Sequence, residues 1–281
     1  MYQLLNVSGT DAENFLQGQL TQDISRLLEG AALPAAWCTP KGRVVATMKL
    51  IRSGDGIDLL LPDAIATTFL QRISIYKLRA DVQLDIRADW QGIAVNSAAD
   101  LQRLADHGLL PDGSINSCRI SGQHLGICVS TDPVVVEVFA PAEKLRVLGV
   151  EESLNESAWR STLIKTGAVR ISAANSEKYT PHMLSLDLAG AVSFEKGCYT
   201  GQEIVARTEH RGKSRRRLAR YECESNESNT GDELLDGDVA VGTVVNASGQ
   251  NILAVTPTDT HDKSLTINGV ATTRVALPWE P

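Results

Sequence analysis

In the stretch Val192-Ser193-Phe194-Glu195-Lys196-Gly197-Cys198-Tyr199-Thr200-Gly201-Gln202-Glu203-Ile204-Val205-Ala206-Arg207 a readable backbone geometry meets reactive chemistry. Thr200 followed by Glu203 has the spacing of a capping box. The hydroxyl accepts from the N–H of residue 203, and the carboxylate reaches back to the N–H of residue 200. That spacing predicts a helix beginning at Gly201. The apolar run Ala191–Phe194 reads as a strand, and Gly197 as the residue at which the chain turns sharply between the two elements. Cys198 then lies in the turn, two residues ahead of the cap.

A thiolate is favoured there by the positive end of the helix dipole and by Lys196 and Arg207, if they fold back toward the turn. A lowered thiol pKa is the expectation. The amides of the first helical turn, with the same cations, also suit a carboxylate or phosphate. The bland alternative is a small buried cysteine filling space beside a tight turn. Gln202 and Glu203 have a plain capping role and count as supporting residues.

Lys196-Gly197-Cys198-Tyr199-Thr200-Gly201-Gln202-Glu203, running on into Ile204-Val205-Ala206-Arg207, resembles the signature of the YgfZ family, folate-binding proteins related to the aminomethyltransferase (T-protein) of glycine cleavage. Val7-Ser8-Gly9-Thr10 into Phe15-Leu16-Gln17-Gly18-Gln19-Leu20-Thr21, and Cys38-Thr39-Pro40-Lys41-Gly42-Arg43, are similar to further landmarks of that family. The resemblance implies an α+β fold: an aminomethyltransferase-like three-part ring of two interwoven α+β units and a small C-terminal β-barrel, with ligand in the central opening. It implies tetrahydrofolate or a one-carbon derivative as cofactor. Iron–sulfur enzymes or cluster-assembly proteins are the implied partners, and support of tRNA modification the indirect role. Cys198 is the implied reactive residue, with Tyr2, Trp159, Lys196, Gly197, Tyr199, Gln202, Glu203 and Arg207 as the folate-binding set.

The chain departs from the pattern at three places. The transferases carry an acid after the Pro-x-Gly turn, and in register with Pro40-Lys41-Gly42 that place is held by Ala46 and Thr47, neither of which can hold a charge or accept a proton at neutral pH. Relatives often have Glu-Ala-Gly where this chain has Lys165-Thr166-Gly167; that Glu is expected to hold the amino-pyrimidine edge of the pterin, and Lys165 offers donors where an acceptor is wanted. They also commonly read Pro-Gln where Pro181-His182 stands. Tyr2 and Trp159 remain as aromatic surfaces for folate, with core packing as the alternative. His182 reads either as a proton shuttle for Cys198 or as an ordinary hydrogen-bonded histidine.

At 281 residues, with 43% hydrophobic and 22% charged residues, the chain is long enough for about two domains. No apolar run approaches the roughly 20 residues of a membrane span. The N-terminus lacks the basic start and apolar run of a signal peptide, so a cytoplasmic protein working as a monomer and away from membranes is expected. Five widely spread cysteines without a Cys-x-x-Cys pair describe neither a disulfide framework nor a resident metal site. Cys118 and Cys128 read as core residues on neighbouring strands. A net charge of −7 argues against general nucleic-acid binding. Yet Arg207, Arg211, Lys213, Arg215, Arg216, Arg217 and Arg220 lie within fourteen residues with a single acid, Glu209. This run could receive RNA or a folate polyglutamate tail, or could simply guard a strand edge.

Along the chain, Tyr2–Val7 reads as a strand, and Thr10 with Glu13 as a second capping box opening a helix to about Leu20. Ala35–Cys38, Arg43–Ile51 and Ile57–Leu61 read as an antiparallel meander, with a turn at Ser53-Gly54-Asp55-Gly56. A helix from Pro62 to about Leu78 has Ile65, Phe69, Ile73 and Tyr76 on its apolar face. Val82–Ile86, Ile93–Asn96, a helix at Ala98–Asp106, Cys118–Ile120, Leu125–Val129 and Val134–Phe139 suggest a second α+β unit. Helices follow at Pro141–Leu148 and Leu154–Lys165, the latter capped by Ser153 or Asn155. After Gly212, the segments Leu218–Cys223, Val239–Val245, Ile252–Val255, Leu265–Ile267 and Ala271–Val275 suggest an all-β module, with Glu224–Thr230 as a polar loop. Two domains, 1–212 and 213–281, result. The leading functional reading is a folate-binding accessory factor for iron–sulfur enzymes; the alternatives are a folate-dependent one-carbon (aminomethyl or methyl) transferase and a non-catalytic, RNA-facing binding module.

Overall fold

Leu4, Leu5, Asn6 and Val7 are all buried in β1 (Tyr2–Ser8), the strand from which the first sheet spreads to both sides. The structure, a computed structural model, describes residues 1–54, 56–150, 154–210, 214–224 and 227–280. Asp55 of the expected turn, Ser153 as a cap, Arg211 and Lys213 of the basic run, the 212/213 boundary, and Ser225 and Asn226 of the polar loop lie outside the described residues. The chain divides into two compact units: Met1–Gln17, Asp23–Ala35 and Met48–Trp159 form one, and Gly18–Gln22, Ala36–Thr47 and Arg160–Pro281 the other.

The first sheet has the order β2-β3-β4-β1-β5, with β2 at Ala32–Cys38, β3 at Val44–Ser53, β4 at Gly56–Pro62 and β5 at Gln83–Ile86. β1 pairs antiparallel with β4 (Leu5↔Leu59) and with β5 (Leu5↔Ile86). The expectation that 82–86 opens the second α+β unit is thereby corrected: its N–H and C=O groups complete the first sheet. Helix α1 (Ala12–Gln19) starts without its expected capping box. The Thr10 hydroxyl donates to Asp81 Oδ2 at 3.0 Å, and Glu13 pairs with Arg52. Gly9, at φ +108, leaves no room for a Cβ, which would lie 2.2 Å from the Asp81 carbonyl oxygen. Helix α2 (Asp63–Ile73) buries Ile65, Ala66, Phe69 and Ile73 as its spacing predicts. It stops at Ile73 and tightens into a 3-10 turn, Ser74–Lys77, which leaves Tyr76 on the surface rather than on the apolar face.

The second sheet has the order β6-β9-β8-β7, from β6 (Trp90–Val95), β7 (Cys118–Ser121), β8 (His124–Thr131) and β9 (Val134–Pro141). Helix α3 (Ala98–Asp106), capped by the Ser97 hydroxyl on the Asp100 N–H, and helix α4 (Ala142–Val147) cover a core of Val95, Leu104, Leu109, Val136, Val138, Leu145 and Leu148. Cys118 and Cys128 are buried on the neighbouring strands β7 and β8. Helix α5 (Glu156–Lys165) is capped by Asn155, whose Oδ1 accepts from the Ala158 N–H at 2.9 Å.

Between α5 and α6 (Gln202–His210) the chain has no regular element, and the strand expected at Ala191–Phe194 is absent. This segment is ordered by partners distant in sequence. Val44 N–H donates to the Tyr179 carbonyl and Glu177 N–H to that of Val44. Thr47, which with Ala46 holds the place where the resemblance puts an acid, donates to the Val169 carbonyl at 2.8 Å and accepts from the Ile171 N–H at 3.3 Å. The last strands, β10 (Arg216–Cys223), β11 (Glu233–Asp236), β12 (Val239–Ser248), β13 (Asn251–Pro257), β14 (Thr266–Ile267) and β15 (Val270–Val275), close a barrel in the order β10-β13-β12-β11-β14-β15. Alternate residues Ala219 and Tyr221 fill one core with Val244, Ile252 and Ala254, while Leu218 and Leu253 face another with Ile164, Ile171 and Val205. Strand β11, Glu-Leu-Leu-Asp, is missing from the sequence reading because four residues with charged ends carry no period.

Thr47→Val keeps the volume and removes both hydrogen bonds of a buried hydroxyl, so it should destabilise the chain by about 2–3 kcal/mol in urea melts. An unchanged midpoint would mean that the 169–171 segment does not depend on the clamp.

Candidate functional site

Three stretches separated by up to 180 residues build the bend that carries Cys198. Ser193 N–H donates to the Thr21 carbonyl at 2.9 Å, and the Thr21 hydroxyl donates to the Ala191 carbonyl at 2.7 Å while accepting from the Ala36 N–H. Lys196 is buried, and its ammonium donates to the carbonyls of Leu20 at 2.7 Å and Gln22 at 2.8 Å. The same nitrogen lies 5.1 Å from the centroid of the buried Tyr199 ring, a cation–π distance. Lys196 and Tyr199, expected among the folate-binding residues, therefore form the footing of the bend.

The second capping box is also corrected. Helix α6 starts at Gln202, which makes Gly201 the cap position, and the Thr200 hydroxyl donates to Gln19 Oε1 at 3.3 Å. Gly201 has φ +86, and a Cβ there would lie 2.5 Å from the Thr39 carbonyl oxygen and 3.1 Å from Gly42 Cα. Gly42, at φ +67, in turn has no room for a Cβ beside Ile204. The sharp turn assigned to Gly197 belongs to Gly201: Gly197 has open space where a side chain would stand. The three landmarks, around Gln19, around Pro40 and around Cys198, are thus one structure.

Cys198 is exposed, and the other four cysteines are buried. Burial pushes the Cys38 thiol up to about 12 and that of Cys118 to about 11, the latter partly offset by Arg119. It raises the Tyr199 phenol as well, with a further contribution from Cys38. Glu203 and Arg207 lie exposed on α6, and Gln202 is half-buried.

In the other unit, Tyr2 and Trp159 meet edge to face, with ring centroids 5.6 Å apart, and Phe139 lies 6.4 Å from Tyr2. Trp159 is fully buried and offers no open face; Tyr2 is half-buried. The indole N–H of Trp159 donates to Glu137 Oε1 at 2.7 Å, and Lys49 Nζ lies 3.5 Å from Glu137 Oε2. Glu137 has zero exposure on β9. The sequence reading missed it, although a lone acid inside Val134-Val135-Val136-Glu137-Val138-Phe139 is itself a signal, since a charge is tolerated in a core only with partners. Lys165, where the acceptor was sought, is exposed.

His182 is the hydrogen-bonded alternative: it is buried, with Nε2 3.1 Å from Glu209 Oε2 and its ring 5.9 Å from that of Phe194. His182, Asp187 and Glu209 offer ligand atoms within 4.8 Å of one another, but the Arg217 guanidinium already holds both Asp187 oxygens. Of the five described members of the basic run, three are held inside the unit. Besides Arg217, Arg216 donates to the Val241 carbonyl, and Arg220 bonds Glu222 and Asn251. Of the described members, Arg207 and Arg215 are exposed.

Two outcomes follow from the thiols. Under native conditions iodoacetamide should label one cysteine per chain, Cys198, and five after denaturation, read by intact mass. Cys38 and Cys118 have native pKa values above their unfolded ones, so stability is full below about pH 9 and is lost as pH rises toward 11–12. Urea midpoints should fall between pH 8 and 10.5 by the equivalent of about 2 kcal/mol for Cys38, and Cys38→Ala should flatten that dependence.

No family model matches the chain. It is 30% identical over 226 residues to the tRNA-modifying protein YgfZ of Escherichia fergusonii, covering 76% of this chain and 68% of that one. It is 33% identical over 227 residues to the protein of the same name from Edwardsiella ictaluri, covering 76% and 66%. Among solved structures, the glycine cleavage system aminomethyltransferase T from Bartonella henselae matches with a TM-score of 0.78 over 99% of this chain and 84% of that one, at 17% identity. That likeness establishes an aminomethyltransferase-like fold, and the sequence relationship establishes the lineage within it: the chain belongs to the YgfZ family.

Proposed function

We propose that the chain is a folate-binding accessory protein in the assembly or repair of iron–sulfur enzymes, supporting tRNA modification, and that it works as a cytoplasmic monomer with Cys198 as its reactive thiol. The observation that carries this reading is the exposure of Cys198 on a bend footed on the buried Lys196 and Tyr199: four cysteines are hidden, and the fifth stands in the open beside two tight glycines. A space-filling cysteine needs no such framework.

Tetrahydrofolate, when bound, supplies a carrier for one-carbon units. Of the residues present, Tyr2 fits it, with a partly open ring. Glu137 does not: it is the kind of acceptor an amino-pyrimidine edge requires, but it is sealed in the core with its oxygens held by Trp159 and Lys49. Gly197, Gln202, Glu203 and Arg207 stay in the proposal as the rim around the thiol. A transferase reading is weakened because the hydroxyl of Thr47 is committed to the Val169 and Ile171 backbone, with no carboxylate in its place.

Calorimetric titration with tetrahydrofolate should show binding, weakened several-fold by Tyr2→Leu. Absence of heat from the wild-type chain would remove folate from the proposal. Cys198→Ser should melt like the wild type yet fail to restore cluster-enzyme activity in a deficient strain; full restoration would dismiss the reactive thiol.

A further inference from the structure

We infer that the open edge of β7, with the cavity beside it, takes an extended peptide segment of another protein as an added strand, an interaction surface separate from the thiol and from the place expected for folate. β7 is an edge strand of the second sheet, and β8 covers one side of it. On the other side the chain leading into β2 accompanies it only briefly. Cys118 N–H donates to the Gly30 carbonyl at 2.8 Å and Ala31 bridges Ser117, but at Gly30, with φ +76, the two chains part. Backbone groups of an antiparallel strand alternate sides, so the N–H and C=O of Ile120 point the way the Cys118 N–H does, toward a place where no strand of the described residues lies. The apolar side chains there are bare: Ile120 is 48% exposed, and Leu28, two residues before Gly30, is 68% exposed. Edges are normally closed by proline, a bulge or a covering segment, and this one opens onto a cavity instead.

The cavity measures about 1040 Å³ and belongs wholly to the first unit, bounded by β7, the Glu29–Gly30 stretch, the first turn of α1 and the end of β3. Gly9 lines it, so it lies at the end of β1 remote from Tyr2, about 20 Å along that strand. Its volume is at the top of the roughly 300–1,000 Å³ range of small-molecule sites and leaves room for the side chains of a short strand. Charge narrows the occupant. The Arg119 guanidinium, 3.7 Å from where a Cβ on Gly30 would stand, and the Glu29 carboxylate make no hydrogen bond or ion pair among the described residues, whereas Arg52 and Glu13 are paired with each other. The open groups are one cation and one anion. A strand with an acidic residue for Arg119 and a basic one for Glu29 matches them, and a polymer of uniform charge does not. Main-chain bonds to Ile120 supply the hold, and the two charged side chains the choice of partner.

The test is selection of phage-displayed random peptides on the immobilised full chain, followed by fluorescence anisotropy with labelled synthetic copies of the enriched peptides. Wild type should enrich peptides of alternating pattern that carry an acid. Ile120→Pro removes an N–H that the ladder with β8 does not use, so it should leave the melt unchanged and weaken peptide binding at least tenfold. Ile120→Ala keeps that N–H and should weaken binding only a few-fold. Arg119→Glu, a surface change, should weaken the acidic peptides about tenfold and, in a fresh selection, enrich peptides with a base at the same place. Cys198→Ser and Tyr2→Leu should bind the peptides as wild type does. No enrichment by wild type, peptides that bind Ile120→Pro and Arg119→Glu as tightly as wild type, or loss of binding in Cys198→Ser would overturn the inference. A wild-type dimer in light scattering that Ile120→Pro breaks would overturn it too, by giving the edge to a second copy of the chain. The purified chain needs no folate for this measurement, so a failed folate titration leaves the peptide result standing, and a failed selection leaves the folate reading standing.

Discussion

A buried ammonium under the bend is the constraint on which the thiol site depends. Lys196 gives two of its three donors to the carbonyls of Leu20 and Gln22 and lies over the Tyr199 ring, so the residue two places before Cys198 is fixed to a segment about 175 positions earlier. A lysine is seldom buried, because desolvating its charge costs several kcal/mol unless oxygens replace the lost water. Here carbonyl oxygens do so. The chain between them cannot shift without uncovering that charge, and the exposed Cys198 follows two residues after this anchor.

The glycines complete the constraint from the other side. Gly201 and Gly42 stand back to back at positive φ, so α6 begins against the Thr39–Gly42 turn at a separation no Cβ permits. Close backbone approach of this kind sets a position to within a fraction of an ångström, because the alternative is steric overlap rather than a slightly weaker contact. The spacing of the motif is therefore the spacing of a joint between distant segments, in addition to whatever chemistry its cysteine performs.

A second theme is the recruitment of short polar side chains. Thr10 and Thr200 each carry the spacing of a local cap, and each hydroxyl goes to a residue far along the chain, Asp81 and Gln19. Thr47 does the same with Val169 and Ile171. A cap and a tertiary partner offer a hydroxyl similar energies of about 1 kcal/mol, so packing geometry chooses between them. Asn155 and Ser97 keep their local roles, on the N–H groups of Ala158 and Asp100.

Period and composition determined much of this protein by themselves. The α+β body, the β-rich tail, the apolar faces of α2 and the capped α3, and the family signature around Cys198 are all written in neighbouring residues, where alternation and turn chemistry act directly. Tertiary structure alone decided the rest: that β5 completes the first sheet, that 166–201 is ordered without helix or strand, that the arginines of β10 turn inward, and that Glu137 lies sealed beside Trp159. These features have one physical reason in common. Each is the satisfaction of a buried charge or hydrogen-bonding group by a partner dozens to hundreds of residues away, and no local pattern encodes which partner folding will bring within 3 Å.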